Sequence, residues 1–270
     1  MNFYPNLTFA TSHTFTQSDF DRFAALTGDD NPIHVDPAFA ARTRFGKTVA
    51  HGMFLCSHVC AALGTFFPGW TQVEQEMMFP APTFAGEPVT FRLTVMETDP
   101  SRGWVDVQTT VTRSDGETGL RGRAGIIPPD RDQPPAGSPS ESPASSPTLG
   151  RLQLGQTASA IRIFTPADLA EYADLTGDVA WANANRIPGG LLGGMFSDLL
   201  GTKLPGRGTN WLKQTLRFPA PAAPGDPIMA TVEIIRLRPE KALVNLRTIC
   251  TAGTGIVCEG EALVYVKDLE

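Results

Sequence analysis

Between Gly28 and His34 the chain reads Gly-Asp-Asp-Asn-Pro-Ile-His, its densest run of chemically capable side chains. Pro32 bars a regular helix and confines Asn31 to extended backbone. The segment is therefore expected to be a loop that turns back and brings Asp29 and His34 toward one point. A carboxylate and an imidazole placed so could hold one water between them, one removing its proton while the other donates a proton elsewhere. Histidine suits the task because its ordinary pKa lies near neutrality. The same letters also spell a strong turn, since Asp and Asn side chains bond nearby backbone groups. Taken alone, the segment favours the plain turn.

The elements that must position this loop can be read from the surrounding pattern. A β-like stretch, Phe9 to Phe15, leads into a short helix for which Thr16 is a suitable N-cap and Gly28 a suitable end. After the loop comes His51 to Phe66, whose apolar residues nearly encircle it, as expected of a buried helix. Four β-rich runs follow, near 73–79, 89–97, 104–112 and 120–127. Alternation is plain in Val89-Thr90-Phe91-Arg92-Leu93-Thr94-Val95, the pattern of a sheet with one wet face. A buried helix followed by antiparallel strands places the fold in the α+β class.

The pattern then repeats. Leu26-Thr27-Gly28-Asp29 recurs as Leu175-Thr176-Gly177-Asp178, and Phe79-Pro80-Ala81-Pro82 recurs letter for letter as Phe218-Pro219-Ala220-Pro221. Gly86-Glu87-Pro88 recurs as Gly225-Asp226-Pro227, and the order is kept throughout, so the chain is a tandem duplication. Between the copies, residues 128–149 are rich in Pro and Ser and almost free of large apolar groups, which is a linker composition. The expected organisation is a first domain over 1–127, the linker over 128–149 and a second domain over 150–270. The second copy is shorter, mainly in the region matching Val35 to Ala50. It carries Asn183 where the first has His34, Ala180 for Asn31 and Gly189 for His51. An amide is no general base, so this copy is expected to be catalytically silent.

The run Gly-Asp-Asp-Asn-Pro-Ile-His-Val-Asp-Pro-x-Phe-Ala, followed by Ala-His-Gly-Met at residues 50–53, resembles the MaoC-like family of (R)-specific enoyl-CoA hydratases and 3-hydroxyacyl thioester dehydratases. The match is tight over residues 23–64 and loose beyond. The resemblance implies a tandem, or double, hot-dog fold, each half a long helix wrapped by a curved antiparallel sheet, with the halves paired as in a hot-dog dimer. It implies Asp29 and His34 as the catalytic pair, with Asn31 ordering the site. It also implies Gly52 as a backbone donor to the thioester oxygen. His51 is either a third group of the site or, bonding a neighbouring carbonyl, the holder of the turn. The substrate implied is an acyl-CoA or acyl-carrier-protein thioester, hydrated or dehydrated in the (3R) sense, with no cofactor and no metal. A hot-dog thioesterase, a polyketide-type dehydratase and a non-catalytic acyl-binding module are the alternatives.

Composition bounds the rest. A net charge of −6 argues against a nucleic-acid partner, which needs clustered Lys and Arg. Cys56, Cys60, Cys250 and Cys258 lack the spacing of a zinc site or a disulfide scaffold and read as buried thiols. No apolar run is long enough to span a membrane, and the N-terminus lacks a signal-peptide pattern. A cytoplasmic protein is expected, and a homodimer of double hot-dogs is compatible with it. His13 and His58 read as structural, Asp30 as solvent-facing or a cap, and Arg42, Arg44 and Lys47 as a solvated basic face.

Overall fold

The structure, a computed structural model, describes residues 3–99, 103–129, 148–179, 186–267 and 269. Its first half runs β1 (Thr8–Thr14), α1 (Gln17–Thr27), two short helical turns α2 (Pro32–Val35) and α3 (Pro37–Ala40), and the long helix α4 (Gly52–Phe66). Then come β2 (Thr71–Met78), β3 (Pro88–Asp99), β4 (Trp104–Arg113) and β5 (Thr118–Ile127). The second half opens with a small hairpin, β6 (Thr148–Leu149) and β7 (Leu152–Gln153). It repeats the plan with β8 (Thr157–Ile163), α5 (Pro166–Thr176), α6 (Gly189–Asp198), a π-helical turn (Leu199–Lys203), β9 (Asn210–Arg217), β10 (Pro227–Arg238), β11 (Leu243–Ala252) and β12 (Gly255–Tyr265).

The capping expected from sequence is present in both copies. Thr16 and Thr165 each form a capping box with the acidic residue three positions on, Asp19 and Asp168. Gly28 and Gly177 end their helices in the left-handed region, at φ 88° and 76°. Gly28 is fixed a second way. A Cβ there would lie 2.7 Å from Nη1 of Arg162, which reaches across from β8 and donates to the Ala25 carbonyl.

All the long strands join one ten-stranded antiparallel sheet, in the order β1-β3-β4-β5-β2-β9-β12-β11-β10-β8. The order is a palindrome of the two copies, joined in the middle by β2 on β9 in the register Glu74↔Arg217 to Met78↔Lys213. Val89, Phe91, Leu93 and Val95 of β3 are buried in a core to which α4 and α6 contribute. This is a double hot-dog, its halves paired as two subunits would be. Residues 130–147 of the expected linker lie outside the described residues. Its last two residues, Thr148 and Leu149, belong to the β6–β7 hairpin instead. All four cysteines are buried and free.

The helices α4 and α6 pack with unequal side chains. A Cβ on Gly190 would lie 2.3 Å from Ser57 Oγ, one on Gly193 2.3 Å from Met53 Cε and one on Gly194 2.3 Å from Thr27 Cγ2. Each helical glycine costs about 1 kcal/mol against alanine, so this run is unfavourable locally. Here it lets α6 approach α4 and α1 of the other half.

Candidate active site

The loop after α1 is tighter than expected. Pro32 does not exclude helix but starts a turn of it. As the first helical residue it gives up an N–H that would have no partner in any case. Asn31 caps that turn, its side chain accepting from the Ile33 N–H, with the extended ψ of 122° that a residue before proline prefers. Asp36 then caps α3 through the N–H groups of Ala38 and Phe39.

This geometry sets the two acid–base candidates. Asp29 is buried, and its Oδ1 accepts from the Asn31 N–H at 3.4 Å. His34 is half-buried, and its Nδ1 lies 2.7 Å from the Val49 carbonyl. A carbonyl can only accept, so Nδ1 carries a proton, and Nε2 takes no part in this bond. His51 is fully buried and is bound from Nε2 to the Asp29 carbonyl at 3.1 Å, which leaves its lone pair on Nδ1. Burial, and after it the neighbouring His34, hold the His51 pKa well below the ordinary histidine value, so His51 is neutral. The two rings stack with centroids 3.9 Å apart. One donor atom each from Asp29, His34 and His51 lie within 4.8 Å of one another.

Gly52 is the first residue of α4, so no carbonyl within the helix can accept its N–H. The helix dipole makes that end favourable to negative charge. A side chain is excluded there because a Cβ would meet Phe79 at 2.8 Å. Structure therefore gathers Asp29, Asn31, His34, His51 and Gly52 at one place. It leaves Asp30 exposed, and Arg42, Arg44 and Lys47 exposed on the segment after the loop. His13 and His58 stand apart, their rings tilted with centroids 4.5 Å apart among Phe15, Phe54 and Phe91.

Three neighbours come from the second half and were not read from sequence. The Ser197 hydroxyl of α6 donates to Asp29 Oδ2 at 2.5 Å. Asn31 Nδ2 donates to the Gly201 carbonyl, in the π-helical turn, at 3.3 Å. Asp198 lies close by. Burial raises its carboxyl pKa; the Thr202 hydroxyl and Lys203 oppose the rise, and Asp29 and Asp30 add to it.

The second copy builds this place differently. Equivalent backbone bonds, Ala50 N–H to Thr83 and Ile187 N–H to Ala222, align Pro188 with His51 and Gly189 with Gly52. The expected match of Gly189 to His51 is thus off by one, and the ring is replaced by a proline. Counting along the aligned helices puts Cys60 where α6 has Ser197, and Cys60 is near enough to Asp178 to feel its charge. The expected replacements Ala180 and Asn183 lie outside the described residues. Beside the second copy's α5 a cavity of about 380 Å³ is lined by Thr11, His13, His58, Phe91, Asp174 and Gly177, among others.

A family profile described as "MaoC like domain" matches residues 5–116. Among curated proteins, an (R)-specific enoyl-CoA hydratase of Rhodospirillum rubrum is 40% identical over 127 residues, which is 43% of this chain and 88% of the relative. A 3-hydroxybutyryl-CoA dehydratase of Methylorubrum extorquens is 36% identical over 131 residues, covering 44% of this chain and 83% of that protein. Among solved structures, a conserved hypothetical protein from Mycobacterium tuberculosis described as having a double hotdog fold superposes with a TM-score of 0.76. That match covers 97% of this chain and 96% of the other at 15% identity, and so bears on the fold alone.

Proposed function

The chain belongs to the MaoC-like family of hydratases and dehydratases, making it a hydro-lyase of double hot-dog form, and from that premise we propose reversible hydration of a trans-2-enoyl-CoA to a (3R)-3-hydroxyacyl-CoA. The observation that carries the reading is the pairing of the Asp29 carboxylate with the His34 ring, whose Val49 bond engages Nδ1 and leaves Nε2 as the nitrogen to act as a base. A water held between the two attacks Cβ of the enoyl group. The pair takes one of its protons and delivers a proton to Cα on the same face, so that the elements of water are added and the dyad is restored.

Negative charge builds on the thioester oxygen as Cβ is attacked. The Gly52 N–H at the start of α4 is the group assigned to meet it. Asn31 and His51 act as positioning residues. Asn31 ties the loop to the Gly201 carbonyl, and His51 ties the start of α4 to the Asp29 carbonyl. The second copy lacks an imidazole at the position of His51 and is assigned to scaffold and substrate binding.

The test is turnover of crotonyl-CoA and longer enoyl-CoAs by wild type and by Asp29→Asn and His34→Ala. A general acid–base group contributes about 10²–10⁴-fold, so each folded variant is expected to lose that much of kcat. Near-wild-type hydration by both variants would sink the assignment. Release of free CoA thiol in place of a hydroxyacyl product would mark a thioesterase.

A further inference from the structure

We propose that Asp29, His34 and His51 together form a binding site for a divalent first-row transition metal, with Zn²⁺ the fitting ion, and that its occupancy blocks the acid–base pair. The blocking half of this proposal rests on the function proposed above; the binding half does not.

Three observations carry it. One carboxylate oxygen and one ring nitrogen from each histidine converge within 4.8 Å, a two-histidine, one-carboxylate donor set. Each ring is held through one nitrogen on a backbone carbonyl, which leaves the other to ligate. His34 gives its Nδ1 proton to Val49, and His51 gives its Nε2 proton to the Asp29 carbonyl. Metal-bound histidines are held in the same manner, with the second nitrogen donating to a carbonyl or carboxylate. Finally, Nδ1 of the wholly buried His51 has no hydrogen-bond partner among the described residues. A buried lone pair left unmatched is costly, and a metal ion would satisfy it.

The donor chemistry selects the ion. Neutral imidazoles with one carboxylate suit Zn²⁺, Co²⁺ or Ni²⁺, whereas Mg²⁺ and Ca²⁺ call for oxygen donors. Asp29 keeps its outer support in the Ser197 hydroxyl, so the carboxylate is already oriented. A metal seated there would engage the Asp29 carboxylate and the His34 lone pair, the two groups that would otherwise hold the water.

The experiment uses the full chain stripped with chelator. Zn²⁺ is titrated by calorimetry, Co²⁺ by visible absorption, and Mg²⁺ serves as the contrast. The expected result is one saturable Zn²⁺ per chain, a Co²⁺ ligand-field band and no Mg²⁺ binding. Even an outer-shell change costs about tenfold in affinity, so His34→Ala and Asp29→Asn, checked by circular dichroism for folding, should weaken Zn²⁺ binding by more than that. Absence of saturable Zn²⁺ binding, or equal binding by both variants, overturns the site. In the activity arm, Zn²⁺ should abolish crotonyl-CoA hydration and excess chelator should restore it. Full turnover with Zn²⁺ bound overturns the blockade alone. A metal-free protein that never hydrates enoyl-CoA overturns the proposed function, and the calorimetry still decides the metal site.

Discussion

The carboxylate of Asp29 is buried, and the short bond from Ser197 is its principal support from the other half. A hydrogen bond to a charged group contributes about 1.5–3 kcal/mol, and about 1.4 kcal/mol is tenfold in rate. Ser197→Ala is therefore expected to lower kcat/KM of enoyl-CoA hydration roughly ten- to a hundredfold. An unchanged kcat/KM in the folded variant would remove Ser197 from the site. Asp29, Asn31, His34, His51 and Gly52 were legible in sequence because they fall in two contiguous motifs. Ser197 was not, because it lies 168 positions from Asp29 in an apolar, glycine-rich run with no motif of its own. The signal that could have found it is the repeat, which sets it opposite Cys60.

At the scale of the elements, strand and helix limits were legible to within a few residues because alternation, caps and glycine ends agree. Two features were not. Pro32 was read as excluding helix, whereas a first-turn proline starts one. The π-helical turn had no local signature, though 27 positions separate Gly52 from Phe79 and 29 separate Gly189 from Phe218. Extra residues in a helix are commonly absorbed as a π turn, and here that turn offers the Gly201 carbonyl to Asn31. The glycines of α6 give a graded prediction. Gly194→Ala would press on the stiff, β-branched Thr27 and is expected to destabilise by about 1–3 kcal/mol despite the better helix propensity. Gly193→Ala meets the flexible end of Met53 and should cost less. Urea unfolding of both variants checks the order. Helix α4 makes a further prediction through His58, whose pKa burial lowers to about 3, with His13 as the charged neighbour that adds to the lowering. Unfolded, the ring takes up a proton below about pH 6.5, and folded it does not until near pH 3. The unfolded state thus binds more protons in that window, and stability falls as pH falls. From pH 7 to pH 5 this one group should remove about 2 kcal/mol. His58→Phe, which fits a site walled by Phe15, Phe54 and Phe91, should flatten that part of the pH dependence in denaturant titrations.

The whole molecule is a pair that cannot exchange members. Where α6 has Gly190, Gly193 and Gly194, α4 has Met53, Cys56 and Ser57, so the close helix crossing depends on one bulky and one small partner. Each half also leaves its middle strand open, β2 or β9, unless the other half covers it. Residues 1–129 on their own would have to pair β2 with a second β2 and α4 with a second α4. The bulky faces would hold those helices apart, and Cys60 would stand where Ser197 supports Asp29. The first half alone, though it carries the Asp29–His34 motif, is therefore expected to be inactive. Adding residues 148–270 as a separate chain should restore hydration, because the β2–β9 register and the α4–α6 crossing do not need the intervening segment. The check is gel filtration and crotonyl-CoA turnover of each half, singly and mixed. A stable, active dimer of residues 1–129 would show that the second copy is dispensable, and that its glycines and Ser197 are not what completes the site.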